Sequence, residues 1–187
     1  MSKKRKTLGA PVSSPALSTH AGEDTGAPRE NTPRLRFPEF LDAGEWEIHH
    51  MGDMYCFLST NSYSRDNLNY DEGQVKNIHY GDIHTKFATL FDVTQEIVPY
   101  INGTESLERV SAESYCNEGD IVFADASEDM EDVGKSIEIV NINNEKILSR
   151  MHTILARQRD DLLVIGFGGY LFKSALIREQ IKRESQG

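Results

Sequence analysis

The stretch EGDIVFADASEDMEDVGKS, residues 118–136, holds seven carboxylates and ends in Gly-Lys-Ser. Asp125, Glu128, Asp129 and Asp132 are hard oxygen donors of the kind that hold Mg²⁺ in a nuclease site. A calcium loop fits less well. Asp125, Ser127 and Asp129 alternate as its first ligands do, but its sixth and twelfth places need Gly and Glu and here hold Met130 and Ser136. A phosphate-binding loop fails too: its first glycine, needed so that backbone N–H groups can curl around the phosphates, falls on Asp129. A solvated acidic loop with Lys135 as a lone cation beyond it is the plain expectation.

The remaining nucleophiles and ligands are scattered. His49 and His50 are adjacent, so on a strand they face opposite ways. His79 and His84 flank a Gly-Asp turn, and His152 lies in an apolar stretch. Nothing local supports a Cys116/His152 nucleophilic pair, and Cys56 and Cys116 have neither metal nor disulfide spacing. Two buried thiols in a reducing cytoplasm are expected. GFGG at 166–169 lacks the spacing and downstream acid of a dinucleotide site and reads as a tight bend before a helix. Asn102-Gly103-Thr104 fits the glycosylation pattern, but no secretory signal accompanies it.

These residues must be carried by one ordinary domain, for the chain has 187 residues and 38% hydrophobic content. No run is long enough to span a membrane. Residues 1–33, rich in Pro, Gly, Ser and Thr and carrying KKRK, read as a disordered basic arm. Order is expected from residue 34 to 187. Leu35, Phe37 and Phe40 should dock on a core, Trp46 and Ile48 alternate as in a strand, and Asp53 is a candidate helix N-cap. Residues 59–70 read as a long polar loop. Strands are expected in VKNIHYGDI with a turn at Gly81-Asp82, in IVPYING ending at Asn102-Gly103, in the apolar DIVFADAS, in the alternating SIEIVNI, and in KILSRMHTILAR after an Asn143-Asn144 turn. A helix is expected within GGYLFKSALIREQIKRES, its stripe formed by Leu171, Ala175, Leu176 and Ile181.

Charge is uneven. Residues 37–149 hold six Lys/Arg against twenty-three Asp/Glu, a net −17, within a chain of net −10. A nucleic acid could therefore meet this chain only at local cationic places, or with a partner supplying most of the positive field. Loops such as STNSYSRDN carry donors, acceptors and stacking faces of the kind that read base edges.

Five segments, in order, resemble the specificity subunits of type I restriction–modification systems: PRLRFPEF, EWEIHHMGDM, IHYGDIHTKF, EGDIVFADASED with VGKS, and LSRMHTILAR followed by GFGGYLFKSALIREQIKRESQG. The resemblance runs from about Arg34 to Gly187. It makes both Gly-Asp-Ile stretches structural features. It implies an α/β fold of α+β type: one target recognition domain with a twisted mixed sheet, few helices, long loops and a C-terminal helix. It further implies a non-catalytic subunit that binds double-stranded DNA and docks modification subunits. These methylate adenine with S-adenosylmethionine, and through them a restriction subunit using ATP and Mg²⁺ is engaged, so no cofactor is expected on this chain. The following strand, the spacer helix and the second recognition domain expected of that family do not appear in the sequence, so by that resemblance the chain is expected to be a fragment, a truncated gene product or a half-subunit.

Candidate DNA contacts on this reading are Asn61, Tyr63 and Arg65 in the 59–70 loop and Lys86 beside the first Gly-Asp. Lys135, Arg150, Arg157 and Lys173 are candidates for phosphates. The rival readings are an acidic interaction module or DNA mimic acting on a restriction complex, and a small Mg²⁺ nuclease using Asp125 to Asp132.

Overall fold

The structure, a computed structural model, describes residues 35–45, 47–125, 132–160 and 162–184. The expected arm at 1–33 lies outside these residues, as do Trp46, Ser127, Glu128, Asp129 and Met130. The chain divides into two units between Ile48 and His49. In the first, Pro38–Phe40 forms a 3-10 turn, with proline supplying a preset φ at its start. The Arg36 guanidinium closes that turn, donating to the carbonyls of Phe40 (3.0 Å), Gly44 (2.6 Å) and Ala43. Leu35, Phe37 and Phe40 are exposed rather than docked on a core.

The second unit begins with helix α1 (Met51–Met54); its N-cap position is His50, without a side-chain cap bond, and not Asp53, which sits inside its first turn. Strands β1 (Tyr55–Leu58), β2 (Leu68–Asn69) and β3 (Val75–Ile78) follow, then α2 (Tyr80–Thr85), β4 (Leu90–Asp92) and β5 (Tyr100–Ile101). Next come β6 (Ile121–Ala124), β7 (Ser136–Asn141), β8 (Lys146–Ser149) and β9 (Thr153–Gln158), and helices α3 (Phe167–Lys173) and α4 (Ala175–Glu184) close the unit. The class is α+β, as expected, but the strands form two mixed sheets and not one. Their orders are β1-β9-β6-β7-β4 and β2-β5-β3-β8. Each contains one parallel pair, β4 with β7 and β3 with β8.

The two sheets face each other across the main core. Ile78 and Ile147 come from one sheet, Phe91, Val122, Ile137, Ile139 and Leu155 from the other, and Ile83 of α2 joins them. The opposite face of the five-stranded sheet presents Tyr55, Ile121, Phe123 and Ala156 to Phe172 of α3 and to Ile177 and Ile181 of α4. Both faces of β6 are thus covered, which is why IVFA is apolar without alternation. SIEIVNI alternates as expected in the sequence, yet Glu138, on what should be its solvent face, is 1% exposed. Helix α3 lies over it. The Glu138 carboxylate accepts from the N–H of Gly166 (2.7 Å) and of Gly169 (2.6 Å), serving as a cap from a neighbouring strand.

GFGG is therefore more than a bend. Gly166 is left-handed at φ 95°, but Gly168 and Gly169 lie inside α3. A Cβ on Gly168 would stand 2.9 Å from Ile121 Cδ1, and one on Gly169 3.0 Å from Leu90 Cδ2, so the glycines let the helix backbone approach the sheet.

Three other expectations are corrected. Gly81-Asp82 is the first turn of α2, started when His79 Nδ1 accepts from the Gly81 N–H (3.1 Å). KILSRMHTILAR is two strands in different sheets, separated by a turn in which His152 adopts φ 66°. The last helix is broken at Ser174, a good N-cap residue, whose carbonyl accepts from the Arg178 N–H (3.0 Å) to begin α4. That break shifts the apolar stripe to Phe172, Ile177 and Ile181 and leaves Leu176 81% exposed. The Asn143-Asn144 turn forms as expected, both residues left-handed.

Candidate nucleic-acid interface

The two Gly-Asp-Ile aspartates do parallel work. Both are buried, and both receive an arginine. Asp120 sits in a fork: Arg157 Nε donates to Oδ1 (2.9 Å) and Nη2 to Oδ2 (2.7 Å), while the Asn117 N–H also donates to Oδ2 (2.7 Å). Arg157 spends its other donors on the carbonyls of Glu113 (3.2 Å) and Tyr115 (2.7 Å). It is a structural clamp on the 113–120 loop, and the Asp120 carboxylate raises its pKa further.

Asp82 instead faces a surface. Its Oδ1 receives Arg65 Nη2 at 3.2 Å and Lys86 Nζ at 2.9 Å, and those two side chains are 48% and 51% exposed. Beside them Arg150 contacts His79 Nε2 and lies over the Tyr80 ring, 5.9 Å from its centre. Tyr80 stacks on His79 at 4.7 Å and meets His152 edge-on at 5.7 Å. Three cations thus gather around His79, two of them on the buried Asp82 carboxylate, in a molecule that is otherwise strongly acidic. The local field is visible in His79: burial first, then Arg65 and Arg150, push its pKa down to about 4.

The His79 shift has a sign. Between pH 6.5 and about 4 the unfolded chain binds a proton that the folded one refuses, so stability falls as pH drops through that window. Its full extent is roughly 2–3 kcal/mol. His79→Asn keeps a capping acceptor but cannot titrate. In urea unfolding at pH 7 and at about pH 4.5, the variant should lose about 2 kcal/mol less than the wild type. Equal losses would show that the ring is not held neutral.

From Lys86 the cationic surface continues into a cleft of about 330 Å³, which Lys135, Lys173 and Arg178 also line. Lys135 Nζ donates to the His84 carbonyl at the end of α2 (3.0 Å) and pairs with Asp132 (3.1 Å). Lys173 Nζ donates to Thr89 Oγ1 (2.9 Å). Gly134, in the Gly-Lys-Ser that fails as a phosphate-binding loop, has φ 68° and packs against Ile181, where a Cβ would stand 2.4 Å from its Cγ2.

Of the sequence candidates, Arg65, Lys86 and Arg150 therefore share one face, and Lys86, Lys135 and Lys173 share the cleft. Asn61 and Tyr63 are turned to internal bonds. Asn61 Nδ2 donates to Asn77 Oδ1 (3.0 Å) and the Ser149 carbonyl (2.7 Å), and the Tyr63 hydroxyl donates to the Ser106 carbonyl (2.7 Å). Asn67 and Asn69 likewise bond Glu105 (2.8 Å) and Asn102 (2.9 Å), so the expected long loop is stitched to its neighbours and contains a 3-10 turn and β2. Arg178 and Tyr80 belong to this surface and were not among the sequence candidates. The signal for Arg178 was its place on a cationic helix flank, obscured because the break at Ser174 was not foreseen.

Among the described residues no three His, Cys, Asp or Glu side chains converge as metal ligands. Asp125 lies 3.7 Å from His152, and Asp132 is held by Lys135. Among them, too, no helix is long and apolar enough to cross a membrane. Compared with protein-family models and with curated proteins, the chain matches none.

Proposed function

We propose that this chain is a DNA-binding target recognition domain of the type I specificity-subunit kind, reading double-stranded DNA while partner subunits methylate and cleave it. The observation that carries the reading is the collection of Arg65, Lys86 and Arg150 on one face, the first two on Asp82 and the third on His79, in a molecule whose middle is net −17. Cations concentrated against the overall charge are what local phosphate contact requires. The stitched 59–70 loop offers a rigid mount for Arg65, and rigid mounts favour specificity over adaptable contact. Two unpaired cysteines are in keeping with a reducing cytoplasm. Modification subunits are the expected protein partners, and no cofactor is assigned to this chain.

The test is fluorescence anisotropy on labelled random duplex DNA between about 50 and 200 mM salt. Weak binding that salt abolishes is expected, and Arg65→Gln should lower the salt slope by about one. Indifference to DNA at every salt would overturn the proposal in favour of the acidic mimic, whose supporting observation is the same −17 block. Mg²⁺-dependent cutting that disappears in Asp125→Asn would overturn it in favour of the nuclease.

A further inference from the structure

We propose that the outer edge of β1 is the seam of a two-fold dimer, in which a second copy of this chain lays its own β1 antiparallel to the first and joins two five-stranded sheets into one. Among the described residues the two sheets have four edge strands, and three of them are guarded. Strand β4 ends on Asp92 and is interrupted by a register shift between Phe91 and Asp92. Strand β2 is two residues long. Strand β8 opens on Lys146 and is bridged by Tyr115 opposite Leu148, with the Cys116 N–H donating to the Ile147 carbonyl (2.8 Å). Short length, charge, irregular register and a covering segment are the usual means of keeping edges apart. Strand β1 has none of them: it runs four residues in regular register, and YCFLST at 55–60 carries no charge and no proline.

Hydrogen-bond alternation fixes where a second strand sits. The Arg159 N–H donates to the Met54 carbonyl opposite it (2.8 Å), so Cys56 and Leu58, further along the same ladder, also turn their N–H and C=O toward β9. Tyr55 and Phe57 turn theirs outward. The Tyr55 N–H is taken by the Met51 carbonyl at the end of α1, which leaves the Tyr55 carbonyl and both backbone groups of Phe57 along the edge. Phe57 is thus the residue of β1 that offers a donor and an acceptor outward together, and the two-fold axis falls on it. Each Phe57 N–H then donates to the Phe57 carbonyl of the other copy, and Ser59 of each faces the Tyr55 carbonyl of the other.

The side chains fit the same axis. Phe57 is 55% exposed and stands opposite Ala156, while Ile154 is 40% exposed and stands opposite Phe123. Ala156 and Phe123 belong to the sheet face that α3 and α4 cover, so Phe57 and Ile154 are a margin of that face which the helices leave bare. On the axis the two Phe57 residues form a bonded pair with Cα atoms about 5.5 Å apart, and aromatic cross-strand pairs stabilise a sheet. A second copy presents the same outward groups, the same uncharged edge and the same bare margin at once. Its net charge of −10 opposes association, but none of that charge lies on YCFLST. The pairing uses one edge of each copy and therefore closes at two without extending into a fibre. Arg65, Lys86 and Arg150 all lie off β1, so this proposal stands or falls separately from the DNA reading.

Sedimentation velocity and amide hydrogen exchange on the full chain test the proposal. The chain should be monomeric near about 1 µM and dimeric near about 100 µM, as suits a small interface. The Phe57 amide should gain protection across the same range. Phe57→Lys, at an exposed position, sets like charges against each other on the axis and should weaken the dimer about tenfold or more with unchanged melting. Ser59→Pro removes an edge donor while leaving the β9 ladder in place, and it should weaken the dimer about tenfold. A chain that stays monomeric throughout the range overturns the proposal. A dimer that either variant leaves intact overturns it as well, and puts the contact elsewhere, as at the exposed Val164 and Tyr170. Protection of the Phe57 amide that does not change with concentration is the third overturning result, because a segment of the same chain would then fill the edge.

Discussion

Replacing Arg157 by Leu is expected to destabilise the fold by about 3–5 kcal/mol, the range for removing one partner of a buried ion pair. Asp120 is 1% exposed, and the substitution strips two of its three donors and leaves the Asn117 N–H alone with a buried charge. The loss is larger than that of the carboxylate's partner alone, because the carbonyls of Glu113 and Tyr115 also lose their donor. For this reason the double apolar replacement of Asp120 and Arg157 should not restore stability, in contrast to isolated buried pairs that can be swapped for hydrophobes. Arg157→Lys should recover less than half, since a single ammonium cannot fill the fork. Urea unfolding measures all three, and a shift in Tm of roughly 10 °C should accompany the single change. A loss below about 1 kcal/mol would place the clamp among ordinary surface pairs and refute this account.

The same reasoning ranks the two arginines of the Gly-Asp-Ile motifs. Arg157 is 23% exposed, with every donor group bonded inside the fold, so its loss acts on stability. Arg65 is 48% exposed and makes one bond to Asp82, whose Lys86 partner remains if Arg65 is removed. Its loss costs little in folding and acts on what approaches the surface. One tripeptide thus builds a brace in one place and a presented cation in the other, according to what covers its aspartate.

That difference marks the limit of what the residues alone disclosed. The buried IVFA strand and the Asn143-Asn144 turn were legible because each rests on local pattern, whereas the α+β class and the structural reading of the Gly-Asp-Ile stretches came with the family resemblance. The division into two sheets was not legible. It depends on the turn at His152, where a non-glycine residue adopts φ 66° inside a run that reads as one strand. The roles of the asparagines were hidden for a related reason. Asn61, Asn67 and Asn69 have the donor–acceptor pairs that bases require, but backbone and side chains far along the chain claim them first. Cations were easier to place, since a charge that cannot be buried cheaply must surface somewhere. Which of them meet, however, was set by tertiary packing: Arg178 reaches the cleft because Ser174 turns the chain.

Glu138→Ala is expected to cost about 3–5 kcal/mol, for a reason unlike that at Arg157. The partners of Glu138 are not charges but two backbone N–H groups, of Gly166 and Gly169, at 2.7 and 2.6 Å. No substitution can remove those donors, so an apolar residue of equal size would still leave them stranded under α3. Gly169 is buried, and water reaches it poorly. The glycines also bring the helix so close to β7 that the cavity left by the carboxylate has no side chain on α3 available to fill it. Glu138→Gln keeps one acceptor oxygen and should cost about 1–2 kcal/mol. Tyr55 reports the charge: burial first, and then Glu138, push its phenol up to about 12, so the Gln variant should lower that value toward 10. Folding favours the neutral phenol, so this stabilisation is complete below pH 10 and fades as pH rises toward 12. Hydrogen exchange at Gly166 and Gly169 gives the local measurement, and both amides should lose protection in Glu138→Ala before the β6 amides do. Protection unchanged at Gly169 would mean that α3 is held by its apolar contacts alone and that the buried carboxylate does not cap it.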